Sequence, residues 1–368
     1  MKKQYRIKNI DFRLIFYVVL LTVIGILVIG SARESVQNKQ ILGLAGGLVV
    51  MVVVTLIDYS YLIRFRWIFY ILNIGLLLLV YFIGDDAGGA TRWIEIAGIR
   101  FQPTELAKIV LILFFAGFFA RFQEKVSDFK ILATAVILAA IPIFGILKQP
   151  DLSSSIVTIL IFLAMVFVAG VSYKIVAGAL AVFLPVFAIG FWMILQPDQN
   201  ILHGYQVNRI LAWLHPEDYP DLAYQQMNSI MAIGSGQLWG KGLNNNLVAS
   251  VKNGNFISAP QTDFIFAVSG EELGFVGCAI IIILLFLIAL ECIILGRRAK
   301  DLSGKLICTG MAALIGFQSF VNLGVATGLI PNTGVTLPFV SYGLSSLLSL
   351  FIGIGMVLNV GLQPKKYG

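Results

Sequence analysis

An acidic side chain stands where a long polar segment meets an apolar run, in Thr262-Asp263-Phe264-Ile265-Phe266. Hydrocarbon tolerates ionisable side chains only where they pair with other groups or take part in function, so Asp263 is the first candidate for chemistry. A carboxylate partly withdrawn from water can have its pKa raised toward neutrality and act as a general base. The same carboxylate can instead hold a divalent cation such as Mg²⁺ or Mn²⁺, and the sequence leaves both roles open.

Other ionisable residues flank the apolar runs. Glu105 and Lys108 stand three positions apart after Pro103, so they share one face of a predicted helix. They can form a buried ion pair that only fixes helix packing, or Lys108 can belong to an anion-binding cavity. Asp151 begins another apolar run, where it can cap the helix or contact a substrate.

The polar segment 196–262 carries a second group of candidates. An apolar stripe at helical spacing predicts a helix on the membrane surface, or one packed against the rest of the protein. The stripe consists of Tyr224, Met227, Ile230 and Met231. Two glycine-rich segments, 234–236 and 240–242, lack the spacing of a phosphate-binding loop and are interpreted as turns that allow close approach. The candidates for binding a sugar are Tyr205, Gln206, Arg209, Tyr224, Gln225 and Gln226.

Composition places the whole chain in a membrane. Of its 368 residues 58% are apolar and 12% are charged, unlike a soluble globular domain. Ten apolar runs approach the roughly 20 residues that a helix needs to cross a bilayer, so residues 1–368 are predicted to form one all-α, polytopic domain. The runs are Phe12–Ser31, Ile41–Leu56, Trp67–Ile83, Phe101–Ala120, Ile131–Ile146, Ile156–Val171, Ile175–Leu195, Asp263–Leu295, Leu306–Ile330 and Val340–Leu362.

Basic residues predict the orientation. Most lysines and arginines fall at the two ends and in alternate loops, which places both termini in the cytoplasm and segment 196–262, between runs seven and eight, outside. This asymmetry accounts for most of the net charge of +7, so no nucleic-acid partner is expected. The three cysteines lie in or near apolar runs without paired spacing and are interpreted as small core residues. No pattern indicates a tightly bound organic cofactor.

Six motifs, in this order, resemble the SEDS family of peptidoglycan polymerases, which includes the RodA and FtsW proteins. The resemblance covers essentially the whole chain. Three positions differ from the usual family residue: Gln261 in place of His, Leu344 in place of Gly and Thr104 in place of Ser. The motifs are Gly89-Ala90 with Arg92-Trp93-Ile94, Phe101 to Lys108, Gln149-Pro150-Asp151-Leu152, Tyr205-Gln206 with Arg209, Thr262 to Ala267 with Glu271-Glu272-Leu273-Gly274, and Thr333-Gly334 to Ser346.

The resemblance implies a peptidoglycan glycosyltransferase that polymerises lipid II at the outer face of the bacterial cytoplasmic membrane, with Asp263 essential. It also implies a class B penicillin-binding transpeptidase as partner, and Ile57-Asp58-Tyr59 favours a RodA-like role in elongation. A lipid II flippase and a noncatalytic scaffold remain as alternatives. The residues expected to bind substrate are Arg92, Gln102, Glu105, Lys108, Asp151, Tyr205, Gln206, Arg209, Gln226, Thr262 and Ser341.

Overall fold

The computed structural model of the protein describes residues 9–87, 90–96, 99–194, 204–244 and 256–363. In these residues the chain is a bundle of helices with one small three-stranded sheet. The helices are α1 (Phe12–Ala32), α2 (Glu34–Leu56), α3 (Tyr59–Arg64), α4 (Arg66–Ile83), α5 (Pro103–Arg121), α6 (Phe129–Lys148), α7 (Leu152–Val168), α8 (Tyr173–Ile194), α9 (Gly204–Leu214), α10 (Pro220–Ser235), α11 (Ile265–Arg297), α12 (Leu302–Ala326) and α13 (Leu344–Gly361). The strands are β1 (Asp85–Ala87), β2 (Ala90–Ile96) and β3 (Ile99–Phe101).

Each of the ten predicted apolar runs coincides with one long helix, to within a few residues at most ends. Among the described residues, 8 helices are long and apolar enough to cross a membrane, and α4 and α7 are apolar but shorter. The all-α, polytopic class is thereby confirmed, while the total of ten crossings stays a prediction.

Aspartates determine where several helices begin. The carboxylates of Asp11, Asp128 and Asp301 accept hydrogen bonds from backbone N–H groups in the first turns of α1, α6 and α12. These N–H groups have no partner inside the helix, so a capping carboxylate stabilises the helix start. Proline occupies the first turn of α5 and of α10, where its missing N–H costs nothing.

The core lies around α5, α12 and α13, whose side chains are mostly buried. Phe114 of α5 stacks on Tyr70 with 4.4 Å between ring centroids, and Phe115 meets Phe162 edge-on at 4.8 Å. Peripheral helices expose large apolar side chains such as Leu72 and Phe286, as expected for a surface that faces lipid. The central helices therefore form the buried part of the bundle, and the peripheral helices carry its exposed apolar surface.

The sheet between α4 and α5 is an element that the sequence analysis did not predict. Its strands pair antiparallel in the order β1-β2-β3, with Asp85 opposite Trp93 and Ile94 opposite Phe101. Two of its strands have three residues each, too few to produce a recognisable alternation in the sequence. The sheet leads directly into α5 and carries Arg92 on β2.

Helix α11 is interrupted at Gly274, which adopts φ 65° and ψ −165°. The turn 236–242 fits into this break: the Lys241 N–H donates to the Glu271 carbonyl over 2.9 Å, and the Phe275 N–H donates to the Gln237 carbonyl over 2.8 Å. A Cβ on Gly236 would overlap the carbonyl of Gly270. The predicted close approach is confirmed at Gly236 and Gly240, whereas Gly234 and Ser235 belong to the end of helix α10.

Helix α10 presents two different faces. Gln226 and Ser229 are buried against the bundle, whereas Tyr224, Met227 and Met231 are 44–60% exposed. The predicted apolar stripe is therefore largely exposed rather than packed against the bundle, and its position on the membrane surface stays a prediction. This arrangement agrees with a helix that lies on the membrane surface.

Candidate active site

The backbone at Asp263 is held by residues from two other elements. Asn322 of α12 donates from Nδ2 to the Asp263 carbonyl over 2.8 Å and to the Val335 carbonyl over 2.6 Å. The Ser341 hydroxyl donates to the Thr262 carbonyl over 2.7 Å. Asp263 thus sits in a turn just before α11 and is fixed to the loop between α12 and α13.

That loop, residues 331–343, runs through the interior of the protein. Leu337, Phe339 and Val340 are buried, and Gln318 of α12 donates to the Thr336 carbonyl over 3.0 Å. Irregular backbone at membrane depth is stable only when other protein groups cover it and satisfy its polar atoms. The loop forms one wall beside Asp263, and a Cβ on Gly334 would lie 3.2 Å from the Asp263 Oδ2.

Asp263 is half-buried, and protein atoms surround much of its side chain. Desolvation raises its pKa from 3.8 to about 6, with the negative charge of Asp151 adding to the rise and the positive charges of Arg92 and Arg209 opposing it. A carboxyl group with this pKa is mostly ionised at pH 7 and still takes up a proton readily. This balance suits a general base.

Two arginines reach the region from separate elements. Arg92 of β2 donates to the carbonyls of Gln149 and Pro150, just before α7. Arg209 of α9 donates to the Asn332 carbonyl over 3.0 Å. Their guanidinium groups act on the charge of Asp263, so both arginines lie near this carboxylate.

Asp151 caps α7 and also connects to α5. Its carboxylate accepts bonds from the Ser154 N–H at 3.1 Å and from the Gln102 Nε2 at 3.3 Å. The capping alternative is confirmed, and contact with substrate stays a prediction. Because Asp151 is only 2% exposed, its charge is felt by Asp263 through little intervening solvent.

Lys108 and Glu105 form the predicted ion pair, with 2.8 Å between Nζ and Oε1. Lys108 is 1% exposed and also donates to the Gln318 Oε1 over 2.7 Å. Its ammonium is therefore enclosed by α5 and α12 rather than extended into solvent. Through Gln318 the pair is connected to Thr336 in the loop beside Asp263.

The other predicted site residues lie on the same side of the bundle, with different surroundings. The Gln226 Nε2 donates to the Val325 and Ile330 carbonyls, so this amide fastens α10 to α12. The Thr262 hydroxyl donates to the Ala259 carbonyl. Tyr205 and Gln206 belong to α9, but their side chains lie outside the described residues. Contacts of these four residues with substrate stay predictions.

A cation at this site would have one carboxylate at hand in Asp263, with Asp151 occupied as a helix cap. Mg²⁺ commonly binds one or two carboxylates together with substrate phosphates, so the residues fit a cation shared with a phosphorylated substrate. Elsewhere in the described part of the chain, His215, Glu217 and Asp218 form an exposed group whose ligand atoms lie within 4.8 Å of one another. Exposed acidic groups of this kind are common without a metal.

The family model for cell cycle proteins of the FtsW, RodA and SpoVE type matches residues 11–366. The chain belongs to this family. FtsW of Geobacter metallireducens, named a probable peptidoglycan glycosyltransferase, is 34% identical, with 98% of this chain and 96% of that protein aligned. The peptidoglycan glycosyltransferase MrdB of Escherichia coli K12 is also 34% identical, with 97% and 95% aligned.

Solved structures agree with this membership. A chain from a peptidoglycan synthase complex, described as coordinating polymerization and crosslinking, has a TM-score of 0.79 and 29% identity, covering 95% of this chain and 97% of that one. The rod shape determining protein RodA of Thermus thermophilus has a TM-score of 0.69 and 29% identity, covering 95% and 96%. This FtsW/RodA/SpoVE protein is thus a multi-pass protein of the bacterial cytoplasmic membrane.

Two residues that shape the site of this FtsW/RodA/SpoVE protein escaped the sequence analysis. Gln318 and Asn322 stand four apart on α12, so they share one face, and both are buried. Burying a polar amide in an apolar run costs free energy unless the amide has hydrogen-bond partners. The presence of two such amides in one run was therefore the signal that could have identified them. Their partners lie in segments distant along the chain, so the sequence did not reveal what they bind.

Proposed function

We propose that the protein polymerises lipid II into glycan strands at the outer face of the cytoplasmic membrane during cell elongation, with Asp263 as general base. The chain is a peptidoglycan glycosyltransferase of its family, as its relatives are named. The observation that carries the proposed mechanism is the position of Asp263, where burial raises its pKa to about 6 although Arg92 and Arg209 act in the opposite direction.

The reaction joins a sugar hydroxyl of one lipid-linked chain to the anomeric carbon of another. Asp263 would accept the hydroxyl proton as the new carbon–oxygen bond forms, and the bond from the anomeric carbon to the pyrophosphate oxygen would break. The pyrophosphate leaves with that electron pair and gains negative charge. Arg92 and Arg209 stand near enough to act on the same region, and fixed cations stabilise such developing charge.

A divalent cation, Mg²⁺ or Mn²⁺, would be held by Asp263 together with the substrate phosphates. When bound, it would add positive charge for the departing pyrophosphate. In that case activity should disappear with a chelator and return with the added metal. Unchanged activity in excess chelator would contradict the cation and leave the charge stabilisation to the arginines.

The remaining polar residues would bind the sugar and phosphate groups around Asp263. Gln102 and Asp151 bond to each other at the starts of α5 and α7, and Ser341 supports Thr262 from the opposite wall. Glu105 and Lys108 would support the site indirectly, because Lys108 donates to Gln318 and Gln318 donates to the Thr336 carbonyl in the loop beside Asp263. Tyr205, Gln206 and Gln226 complete the proposed set of substrate-binding residues.

A class B penicillin-binding transpeptidase would crosslink the new strands. Support comes from the structural neighbour that belongs to a synthase complex coordinating polymerization with crosslinking. The proposed orientation, with both termini cytoplasmic and Asp263 outside, brings polymerisation and crosslinking to the same side of the membrane.

The relatives include both FtsW and MrdB proteins, so the proposed role in elongation rests on Ile57-Asp58-Tyr59. Restoring rod shape to cells that lack MrdB would support elongation, whereas rescuing only FtsW-depleted cells would contradict it.

The test of polymerisation uses the full chain and its candidate transpeptidase in proteoliposomes with fluorescent lipid II. The transpeptidase carries a blocked crosslinking site, so any strand comes from glycosyl transfer. Glycan ladders on a gel would support the polymerase. Movement of lipid II between leaflets without any ladder would instead identify a flippase and overturn the proposal.

A further inference from the structure

The end of the bundle opposite Asp263 contains a cavity, here called the basal cavity, of about 650 Å³. It lies where three helices end: the start of α1, the last turns of α11 and Gly361 at the end of α13. Because α11 has 33 residues and rises about 1.5 Å per residue, this cavity is tens of ångströms from Asp263. Its size is typical of cavities that bind small molecules.

Four charged residues line the basal cavity: Asp11, Arg13, Glu291 and Arg298. Among the described lining residues two of these are basic and two are acidic, so their charges sum to zero. Glu291 is only 7% exposed, and among the described residues no ion pair or hydrogen bond engages its carboxylate. Arg13 and Arg298 act on its charge without a direct contact, so the carboxylate still has room for a ligand group that carries positive charge.

The arginines offer the complementary charge. Arg13 lies in the first turn of α1, where the helix dipole also favours an anion, and Arg298 follows the last turn of α11. Both are exposed, and in the described part of the chain neither forms an ion pair. Paired N–H donors of arginine suit phosphate oxygens.

Apolar surface continues from the basal cavity toward the middle of the membrane. Phe12 lines the cavity, and Phe16, one helical turn further along the same face of α1, is 61% exposed. On α11, Ile294 lines the cavity and Leu290, one turn away, is 36% exposed. Acyl chains could lie along these side chains while a headgroup occupies the polar part.

We propose that the basal cavity binds a phospholipid with a zwitterionic headgroup, such as phosphatidylethanolamine, with its phosphate at Arg13 and Arg298 and its ammonium at Glu291. An anionic headgroup would satisfy the arginines but leave Glu291 without a partner. In the orientation proposed above, the lipid belongs to the inner leaflet. It would fasten together the ends of α1, α11 and α13 without touching the site at Asp263.

The test measures lipid binding to the delipidated full chain in detergent by native mass spectrometry. Dioleoyl phosphatidylethanolamine and dioleoyl phosphatidylglycerol are compared on wild type, Glu291→Gln and Arg298→Gln. We expect Glu291→Gln to weaken phosphatidylethanolamine binding about tenfold, equivalent to about 1.4 kcal/mol, and to leave phosphatidylglycerol unchanged. Arg298→Gln should weaken both lipids. The matched control Glu124→Gln removes an exposed carboxylate after α5, at the same end of the bundle, and should change neither.

Wild-type affinity for phosphatidylethanolamine in Glu291→Gln would overturn the proposal, as would equal weakening of both lipids. A measurement on the wild type needs no variant: glycerophosphoethanolamine, which has the headgroup without acyl chains, should displace bound phosphatidylethanolamine. Failure to displace it would mean that the acyl chains alone determine binding, which also contradicts headgroup recognition. If Glu291→Gln does not fold, Arg298→Gln and this competition decide the question, since Arg298 is exposed.

Discussion

At the scale of the residue, the chemistry of Asp263 follows from a balance of solvation and charge. Burial and the nearby Asp151 raise its pKa, while Arg92 and Arg209 lower it, and the result is a value of about 6. A carboxyl group at the usual 3.8 would be a weaker base, and one well above 7 would be protonated in the cell. The surroundings therefore tune this acid to its proposed role.

This balance predicts the pH dependence of polymerisation. The base works when it is deprotonated, so the rate should fall as the pH drops through about 6 and should level off above about 7. Below pH 6 the decline should approach tenfold per pH unit. Rates of lipid II consumption between pH 5 and 8 test this, with size-exclusion profiles at each pH as the control for folding. A flat profile across this range would argue against a base with this pKa.

Asn322 provides a second prediction at the same scale, because its amide holds both the Asp263 and the Val335 carbonyls. Asn322→Ala should lower the thermal midpoint and reduce the polymerisation rate by about tenfold or more, since each stranded carbonyl costs roughly 1–3 kcal/mol. Asn73→Ala is the matched control: Asn73 is also buried in an apolar helix, but its amide has no hydrogen-bond partner among the described residues. Equal effects of the two variants would refute a specific role for Asn322.

The buried pair Glu105 and Lys108 predicts a pattern across three variants. Glu105→Gln leaves a buried ammonium without its counter-charge and should destabilise the fold by roughly 3–5 kcal/mol, and Lys108→Met should act similarly. The double variant removes both charges and should recover much of the thermal midpoint. Additive losses in the double variant would contradict the pairing. Recovered stability without recovered polymerisation would show that Lys108 also serves the reaction.

At the scale of the element, what the sequence could predict depended on the forces that shape each segment. The long helices were predictable because hydrocarbon requires about 20 apolar residues for each crossing. The break at Gly274 was not, since an isolated glycine is also tolerated inside an uninterrupted helix. The carbonyls and N–H groups freed there bind the turn 236–242, which is a contact between segments that the local sequence does not encode.

That break carries a prediction for α11. Gly274 has φ 65°, and a Cβ there would come within 2.3 Å of the Gly240 nitrogen, so Gly274→Ala should be strongly destabilising, by about 1–3 kcal/mol from the backbone alone. Gly316→Ala on α12 is the matched control, because a Cβ there meets no atom of the described residues within 4 Å. Thermal unfolding in detergent compares the two. A midpoint for Gly274→Ala as high as that of Gly316→Ala would mean that the break is not required.

At the scale of the whole molecule, the residues of the candidate site come from separate parts of the chain to one end of the bundle. The motifs around Gln102, Asp151 and Asp263 could be identified in the sequence, because ionisable groups next to apolar runs are unusual. Their arrangement could not, since the bonds from Asn322 and Ser341 join segments 59 and 79 residues apart in sequence. The bundle thus supplies the geometry that the motifs require.

The most direct test of the proposed mechanism is the rate of glycan formation from purified lipid II by wild type, Asp263→Asn and Asp221→Asn, each with the same inactivated transpeptidase. Asp221 lies in the first turn of α10 and is exposed, so its variant controls for the loss of a carboxylate. We predict a loss of about 10²–10⁴-fold for Asp263→Asn and none for Asp221→Asn. Wild-type rates from a correctly folded Asp263→Asn protein would contradict the assignment of Asp263 as the base.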